Sequence, residues 1–326
     1  MKGWGCSMKF QEPVLLMFFS VDLIGSTAFK QKNIQKDNLS SNWKKNFQDF
    51  YNNFKIELQQ SYQKIEDTLI TEKENFYYPY RWKFLGDEII FVTHIDDFKY
   101  IYPHIEAFKK ALVDYNVEEK TLKIRFTSWL AEFPIVNTIL GDIKANFKKE
   151  IYSKTEVDFL GPSIDLGFRI AKYSSERKIV ISVDLAFTLL KYCLDNKIKP
   201  YYFYFDKEQA AIGLINNKYP IIWIDNFDGE NPIEDELYGV SRKECDYDQL
   251  FKFCENHINS DKYKIMKPFS DYNQEFKSQK YIDSLYKLYE MNTPLETLGS
   301  KEGLDSDISN DSKYNEILSR INKEIN

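Results

Sequence analysis

The feature that most constrains this chain is the apolar run Val14-Leu-Leu-Met-Phe-Phe-Ser-Val, which ends on Asp22 and meets Gly25 three residues later. A run of that length without polar alternation reads as a buried strand, and it closes on an acid. Gly25-Ser26-Thr27 supplies a turn and a helix N-cap, and Phe29 to Ile70 is polar-rich and free of Pro and Gly, as a helix or broken helix would be. An aromatic run from Phe76 to Phe84 meets Gly86-Asp87 and continues as Glu88 to Thr93, which predicts two strands joined tightly at Gly86 and Asp87.

His94 to Tyr115 carries apolar residues at helical spacing, and Leu122 to Phe133 has strand-like content, so the order is βαββαβ. Gly161-Pro162-Ser163 opens a helix through Arg169 to about Tyr173. Ile179 to Ile181 reads as a short strand, Asp184 to Leu194 as a helix, and Tyr201–Phe205, Ala210–Ile215 and Pro220–Ile224 as late strands. The expected class is α+β, with an antiparallel-containing sheet rather than a doubly wound one. Past Asp225 the texture turns polar. The divisions expected are an N-terminal segment 1–12, a domain 13–225 and a mostly helical extension 226–326, with a flexible run at Ser300 to Ser312 and a last short helix at Tyr314 to Glu324.

Composition narrows the classes. Hydrophobic residues make up 43% and aromatics 16%, enough to bury a sizeable core. Lys+Arg 44 against Asp+Glu 50 leaves a net charge of -6 without a basic block, which argues against a nucleic-acid-coating role. No apolar run approaches the roughly 20 residues of a membrane span. Met1 to Phe10 lacks the apolar stretch of a signal peptide, so the expected location is cytoplasmic. The four cysteines, Cys6, Cys193, Cys245 and Cys254, are too scattered for a disulfide framework, and Cys254 with His257 lacks a second ligand pair, so both read as packing residues.

Asp22 and Asp87 are acids placed where apolar strands stop. Two such carboxylates can share hard divalent cations with substrate phosphates, although on spacing alone a helix cap and a turn residue are the simpler account. Leu23-Ile-Gly-Ser-Thr27 joins strand to helix, and the backbone N–H groups at Gly25, Ser26 and Thr27 can face an anion at the positive end of the helix dipole. Asp165 and Arg169 sit four apart on one helix, suited either to an ordinary ion pair worth about 0.3–0.5 kcal/mol or to giving Arg169 to a transferring phosphoryl group.

Together these blocks, Phe19-Ser-Val-Asp22-Leu-Ile-Gly-Ser-Thr27, Lys83-Phe-Leu-Gly86-Asp87, Asp158 three before Gly161, then Asp165 and Arg169, resemble the class III nucleotidyl cyclase domain in order and spacing. The resemblance covers roughly residues 13 to 225 and implies a ferredoxin-like βαββαβ core with added strands and helices. It implies two divalent cations, Mn²⁺ or Mg²⁺, held by Asp22, Asp87 and the backbone carbonyl of Leu23. It gives base reading to Lys83 and Asp158 and transition-state stabilisation to Arg169. Asp165 departs from the pattern, because adenylyl cyclases carry Asn there to orient the ribose. A homodimer with composite active sites also follows from the resemblance.

The blocks Arg81-Trp-Lys-Phe-Leu-Gly-Asp-Glu88 and Phe159 to Arg169 are similar to the bacterial pyrimidine cyclases of Pycsar anti-phage defence. That likeness implies conversion of UTP, or in second place CTP, to the 3′,5′-cyclic mononucleotide, which would activate a separate effector protein. Lys83 only donates and an Asp158 carboxylate only accepts, so the pair suits the edges of uracil, cytosine or adenine and suits guanine least. Arg81 and Trp82, beside Lys83, can close a purine-sized pocket around a one-ring base. The competing readings are an adenylyl cyclase and a catalytically silent nucleotide-binding module.

Overall fold

The computed structural model describes residues 14–36, 42–118, 122–134, 136–140, 157–210, 218–227 and 244–260. Its first strand, β1 (Val14–Leu23), is followed by helices α1 (Ser26–Lys36) and α2 (Asn42–Leu69). The hairpin strands β2 (Tyr80–Leu85) and β3 (Glu88–His94), helix α3 (Ile101–Glu118) and strand β4 (Ile124–Phe133) complete a βαββαβ unit. Its four strands lie in the order β2-β3-β1-β4, all antiparallel, which is the ferredoxin-like arrangement.

After a two-stranded ribbon, β5 (Thr138–Leu140) and β6 (Asp158–Leu160), come α4 (Pro162–Ala171), β7 (Lys178–Ile181), α5 (Val183–Asp195), β8 (Phe203–Ala210) and β9 (Lys218–Asp225). Strand β7 joins β4 in parallel, and β9 and β8 extend the sheet to seven strands. The α+β expectation thus holds, with the added strands on the β4 side. The last described helix is α6 (Tyr247–Asn259). The short helix expected at 314–324 and the run expected at 300–312 lie outside the described residues.

The two faces of the sheet are covered differently. Alternate residues of β1, Phe19 and Val21 among them, face a core filled by α2, α3, α5 and α6, where Phe19 stacks on Phe108 at 4.1 Å. Helix α2 earns its place through Phe47, Phe50, Phe54, Leu58 and Tyr62, one buried residue per turn. On the other face Phe18 stacks on Trp129 at 5.5 Å, beneath α4 and the β5–β6 ribbon. Gly167 lets α4 descend onto that indole: a Cβ there would stand 2.1 Å from Trp129 Cδ2. Gly167→Ala should therefore cost about 1–3 kcal/mol by overpacking, read as a lowered denaturant midpoint at unchanged slope; a neutral substitution would refute this contact.

Two element boundaries differ from expectation. Helix α3 begins at Ile101 rather than near His94, because the Asp97 carboxylate accepts from Lys99 N at 2.9 Å and holds a separate 3₁₀ turn, Phe98–Tyr100, ahead of it. The late strand expected at 201–205 begins at Phe203 and runs on to Ala210, with the polar break after Asp206 absorbed as a bulge against β9, while the strand expected at 210–215 shares only Ala210 with the described residues. Residues 211–217 lie outside the described residues. Helix α6 puts Tyr247, Leu250, Cys254 and Ile258 into the same core as α5, and His257 is buried beside them.

Candidate active site

The register of the central strands builds one polar corner. Asp22 of β1 lies opposite Glu88 of β3 on one side and Arg125 of β4 on the other, so three charged residues share one face at the sheet's end. Arg125 donates to Asp22 Oδ2 through Nε at 2.8 Å and Nη2 at 2.6 Å. Asp87 is brought alongside by the hairpin turn, where Gly86 takes φ 70°. The Leu23 N–H donates to the Asp87 carbonyl at 3.2 Å, tying the end of β1 to that turn.

Neighbours brace the corner. The Ser26 hydroxyl donates to Asp87 Oδ2, and the Tyr51 hydroxyl of α2 donates to the Gly86 carbonyl. Ser20 donates to Glu88 Oε1. Burial pushes the Asp22 carboxyl above its ordinary value, outweighing Arg125, and the charge of Asp87 adds to the rise. Glu88 is raised too, again chiefly by burial, with Asp22 and Asp87 contributing. Adjacent carboxylates that resist ionisation are what a divalent cation would relieve.

The donor set fits such a cation in a particular way. Among the described residues no group of three or more His, Cys, Asp and Glu is arranged to hold a metal. Two carboxylates and the Leu23 carbonyl are hard oxygen donors too few for a closed cage, and Mg²⁺ is commonly held by one or two carboxylates plus substrate phosphates. Gly25, with φ 71°, turns the chain into α1, whose first backbone bond runs from Phe29 N to the Gly25 carbonyl at 3.0 Å. The Ser26 side chain is committed to Asp87, and Thr27 is exposed.

A second cluster stands on the same face. Lys83 Nζ donates to Asp158 Oδ1 at 2.7 Å, joining β2 to β6. Lys83 lies two strands over and two residues along from Asp22, about 12 Å between backbones by strand geometry, which makes the two clusters separate groups on one face. Trp82 packs beside the pair, whereas Arg81 does not. The register places Arg81 opposite Phe91 on the helix-covered face, where its guanidinium lies 4.2 Å over the Phe84 ring.

Asp165 and Arg169 sit a turn apart on α4, Asp165 exposed and Arg169 half-buried. That helix is aimed by Asn137, whose Oδ1 accepts from Ser163 N at 3.0 Å. Gly161, at φ 144°, allows this approach, since a Cβ there would meet Asn137 Oδ1 at 2.3 Å.

Sequence reasoning missed Arg125, Asn137 and the bracing role of Tyr51. Each is far along the chain from what it holds, and only register or tertiary contact exposes it. Glu88 was missed as well, although its place beside Asp87 is a signal the sequence carries.

The fold and the two clusters define an α+β domain with a carboxylate corner and a separate Lys–Asp pair on one sheet face. No protein-family model matches the chain, and comparison with curated proteins finds no match. Among solved structures, the guanylate cyclase domain of RhGC from Catenaria anguillulae in complex with GTP aligns with TM-score 0.43 and 13% identity over 66% of this chain and 98% of that one. The adenylyl cyclase CyaB from P. aeruginosa aligns with TM-score 0.43 and 15% identity over 66% and 94%. The guanylyl cyclase Cya2 aligns with TM-score 0.36 and 18% identity over 68% and 96%. Likenesses of this degree leave function to be read from the side chains.

Proposed function

We propose that this chain is a nucleotide cyclase that closes a pyrimidine nucleoside triphosphate, UTP ahead of CTP, to its 3′,5′-cyclic monophosphate with release of pyrophosphate. The observation that carries the reading is the pairing of Lys83 with Asp158 on the sheet face that also bears Asp22 and Asp87. A donor beside an acceptor suits a base edge, and paired acids suit a metal-bound triphosphate.

Asp22, Asp87 and the Leu23 carbonyl would hold two divalent cations, Mn²⁺ or Mg²⁺, which when bound lower the pKa of the ribose 3′-hydroxyl and neutralise phosphate charge. The α1 N-terminus faces the phosphates with its N–H groups. Arg169 meets the charge that develops as the bond to pyrophosphate breaks. Asp165 accepts from a ribose hydroxyl.

The acids and the base-reading pair of one site would come from two copies of the chain. Exposed leucines beside the clusters, Leu85, Leu140 and Leu160, offer apolar surface for a second copy to cover. Mixing Asp22→Ala with Arg169→Ala chains, each inactive, should then restore about a quarter of wild-type turnover, since half the dimers are hybrids with one intact site. No recovery despite subunit exchange would rule out shared sites.

The likeness to pyrimidine cyclases supports a messenger role in anti-phage defence, with the product switching on a separate effector protein. A cytoplasmic setting suits that role, and among the described residues no helix is long and apolar enough to cross a membrane. Adenine also presents an acceptor beside a donor to Lys83 and Asp158, which favours an adenylyl cyclase as the second reading.

The experiment is to incubate the purified full chain with Mn²⁺ and each ribonucleoside triphosphate separately, and to identify products by mass spectrometry beside Asp22→Ala. Cyclic UMP or cyclic CMP, absent from the variant, is expected. Cyclic AMP would move the protein to the second reading, and no product from any triphosphate would refute the cyclase assignment.

A further inference from the structure

Trp82 and Lys83 are neighbours in one strand, yet both side chains lie on the same face of the sheet, which strand alternation forbids. The register explains it. Arg81 pairs with Phe91 and Lys83 pairs with Ile90, so Trp82 is one residue too many for the partner strand. Without that bulge Lys83 would fall opposite Ile89, a residue of the helix-side core, and its ammonium would leave the face that carries Asp158.

The inserted residue also touches Lys83 itself and both chain neighbours of Asp158. Its ring meets Phe18 edge-on at 5.7 Å and Phe159 at 4.9 Å. Its Nε1 donates at 3.0 Å to the carbonyl of Val157, the residue before Asp158. Lys83 Nζ stands 3.8 Å from the centre of the indole, within reach of the ring's negative face. One side chain thus fixes the ammonium on one side and the strand carrying the carboxylate on the other.

We infer that Trp82 is the positioning residue that sets the spacing of Lys83 and Asp158, and through that spacing the choice of base. The inference rests on the base-reading role proposed for the pair. With its N–H committed to Val157 and its ring to Phe18, Phe159 and Lys83, Trp82 acts on the base through its two neighbours. A site built from hydrogen-bonding groups discriminates steeply only while those groups are held in place, because a displaced donor leaves its partner unsatisfied.

The test compares Trp82→Phe, which keeps a ring but loses the N–H, with Trp82→Leu, which loses both. For the preferred triphosphate kcat/KM should fall about tenfold in the first and about a hundredfold in the second, with preference over the next base narrowing in step. Thermal unfolding checks that each variant is folded, and Mn²⁺ affinity should stay unchanged because the carboxylate corner is separate. Equal loss on all triphosphates, with selectivity intact, would overturn the inference.

A second readout does not depend on turnover. In ¹³C-lysine NMR the Lys83 side-chain signal, identified by its absence in Lys83→Arg, should be shifted upfield by the indole. It should stay partly shifted in Trp82→Phe, return to the ordinary lysine position in Trp82→Leu, and move on addition of the preferred triphosphate. A shifted, responsive signal without product would sink the cyclase reading and leave Trp82 its role. A signal at the ordinary position in the wild type, or one that answers to no triphosphate, would end the inference.

Discussion

Asp22→Asn will lower turnover by about a thousandfold or more and yet leave the protein without metal at least as stable at pH 7 as the wild type. The first half follows from the metal-binding role proposed for this carboxylate, since a metal's stabilisation of transition-state charge is worth several kcal/mol. The second half follows from burial. The Asp22 carboxyl is raised above its ordinary value of 3.8 because desolvation outweighs the Arg125 partner, so its charged form is a net cost to the folded state. A raised carboxyl contributes stability that is fully present below the unfolded value and is lost as pH rises through the folded one. The advantage of the Asn variant should therefore be largest near neutrality and shrink on acidification toward pH 4. Thermal unfolding across that range, with a product assay, checks both halves. An Asn variant clearly less stable at pH 7 would show that the Arg125 pair dominates instead. Glu88, raised chiefly by burial and in part by the Asp22 charge, should leave the Asn variant a shallower residual slope of the same sign.

The largest loss of stability is expected three strands over from Asp22, on β9. Asp225 is fully buried at the end of β9 and accepts from Arg177 Nε at 3.1 Å and Nη2 at 2.9 Å, while its Oδ1 also takes the Phe227 N–H at 2.9 Å. Arg177 is itself 11% exposed. Asp225→Ala would take the carboxylate away from a nearly buried guanidinium and should cost about 3–5 kcal/mol, a large share of the stability of a typical domain. Urea unfolding measures it directly. Replacing both partners together, Arg177→Met with Asp225→Leu, should recover most of the loss, because the penalty belongs to a buried charge deprived of its carboxylate rather than to the missing bond. A loss below about 1 kcal/mol in the single variant would mean that water reaches the pair.

What could be read from the chain and what could not divide along one line. Features carried by neighbouring residues were legible. The apolar run of β1 marked the central strand, Gly86 marked the hairpin, and Gly161-Pro162 marked the start of α4, each because a local backbone requirement picks the residue type. Features that depend on which strand lies beside which were not. Arg125 is 103 residues from Asp22, and nothing near it announces a carboxylate partner. Asn137 reaches α4 across the ribbon, although three residues at 138–140 are too few to show a period. The bulge at Trp82 defeats alternation outright: counting by twos from Tyr80 sends Lys83 to the wrong face. Asp22, Asp87, Lys83 and Asp158 could be singled out all the same, because the order and spacing of their blocks along the chain carry the resemblance without any long-range contact.

The order of strands separates the two tasks proposed for this sheet. The carboxylate corner is anchored on β1, which is bonded on both sides by β3 and β4, whereas Lys83 rides on β2, the outermost strand, with one bonded neighbour. Backbone shifts at an edge need not propagate inward, while those at a centre disturb everything around them. On the proposed reading, a lineage built on this scaffold can exchange one nucleobase for another by drift at the periphery while the carboxylate corner stays as it is.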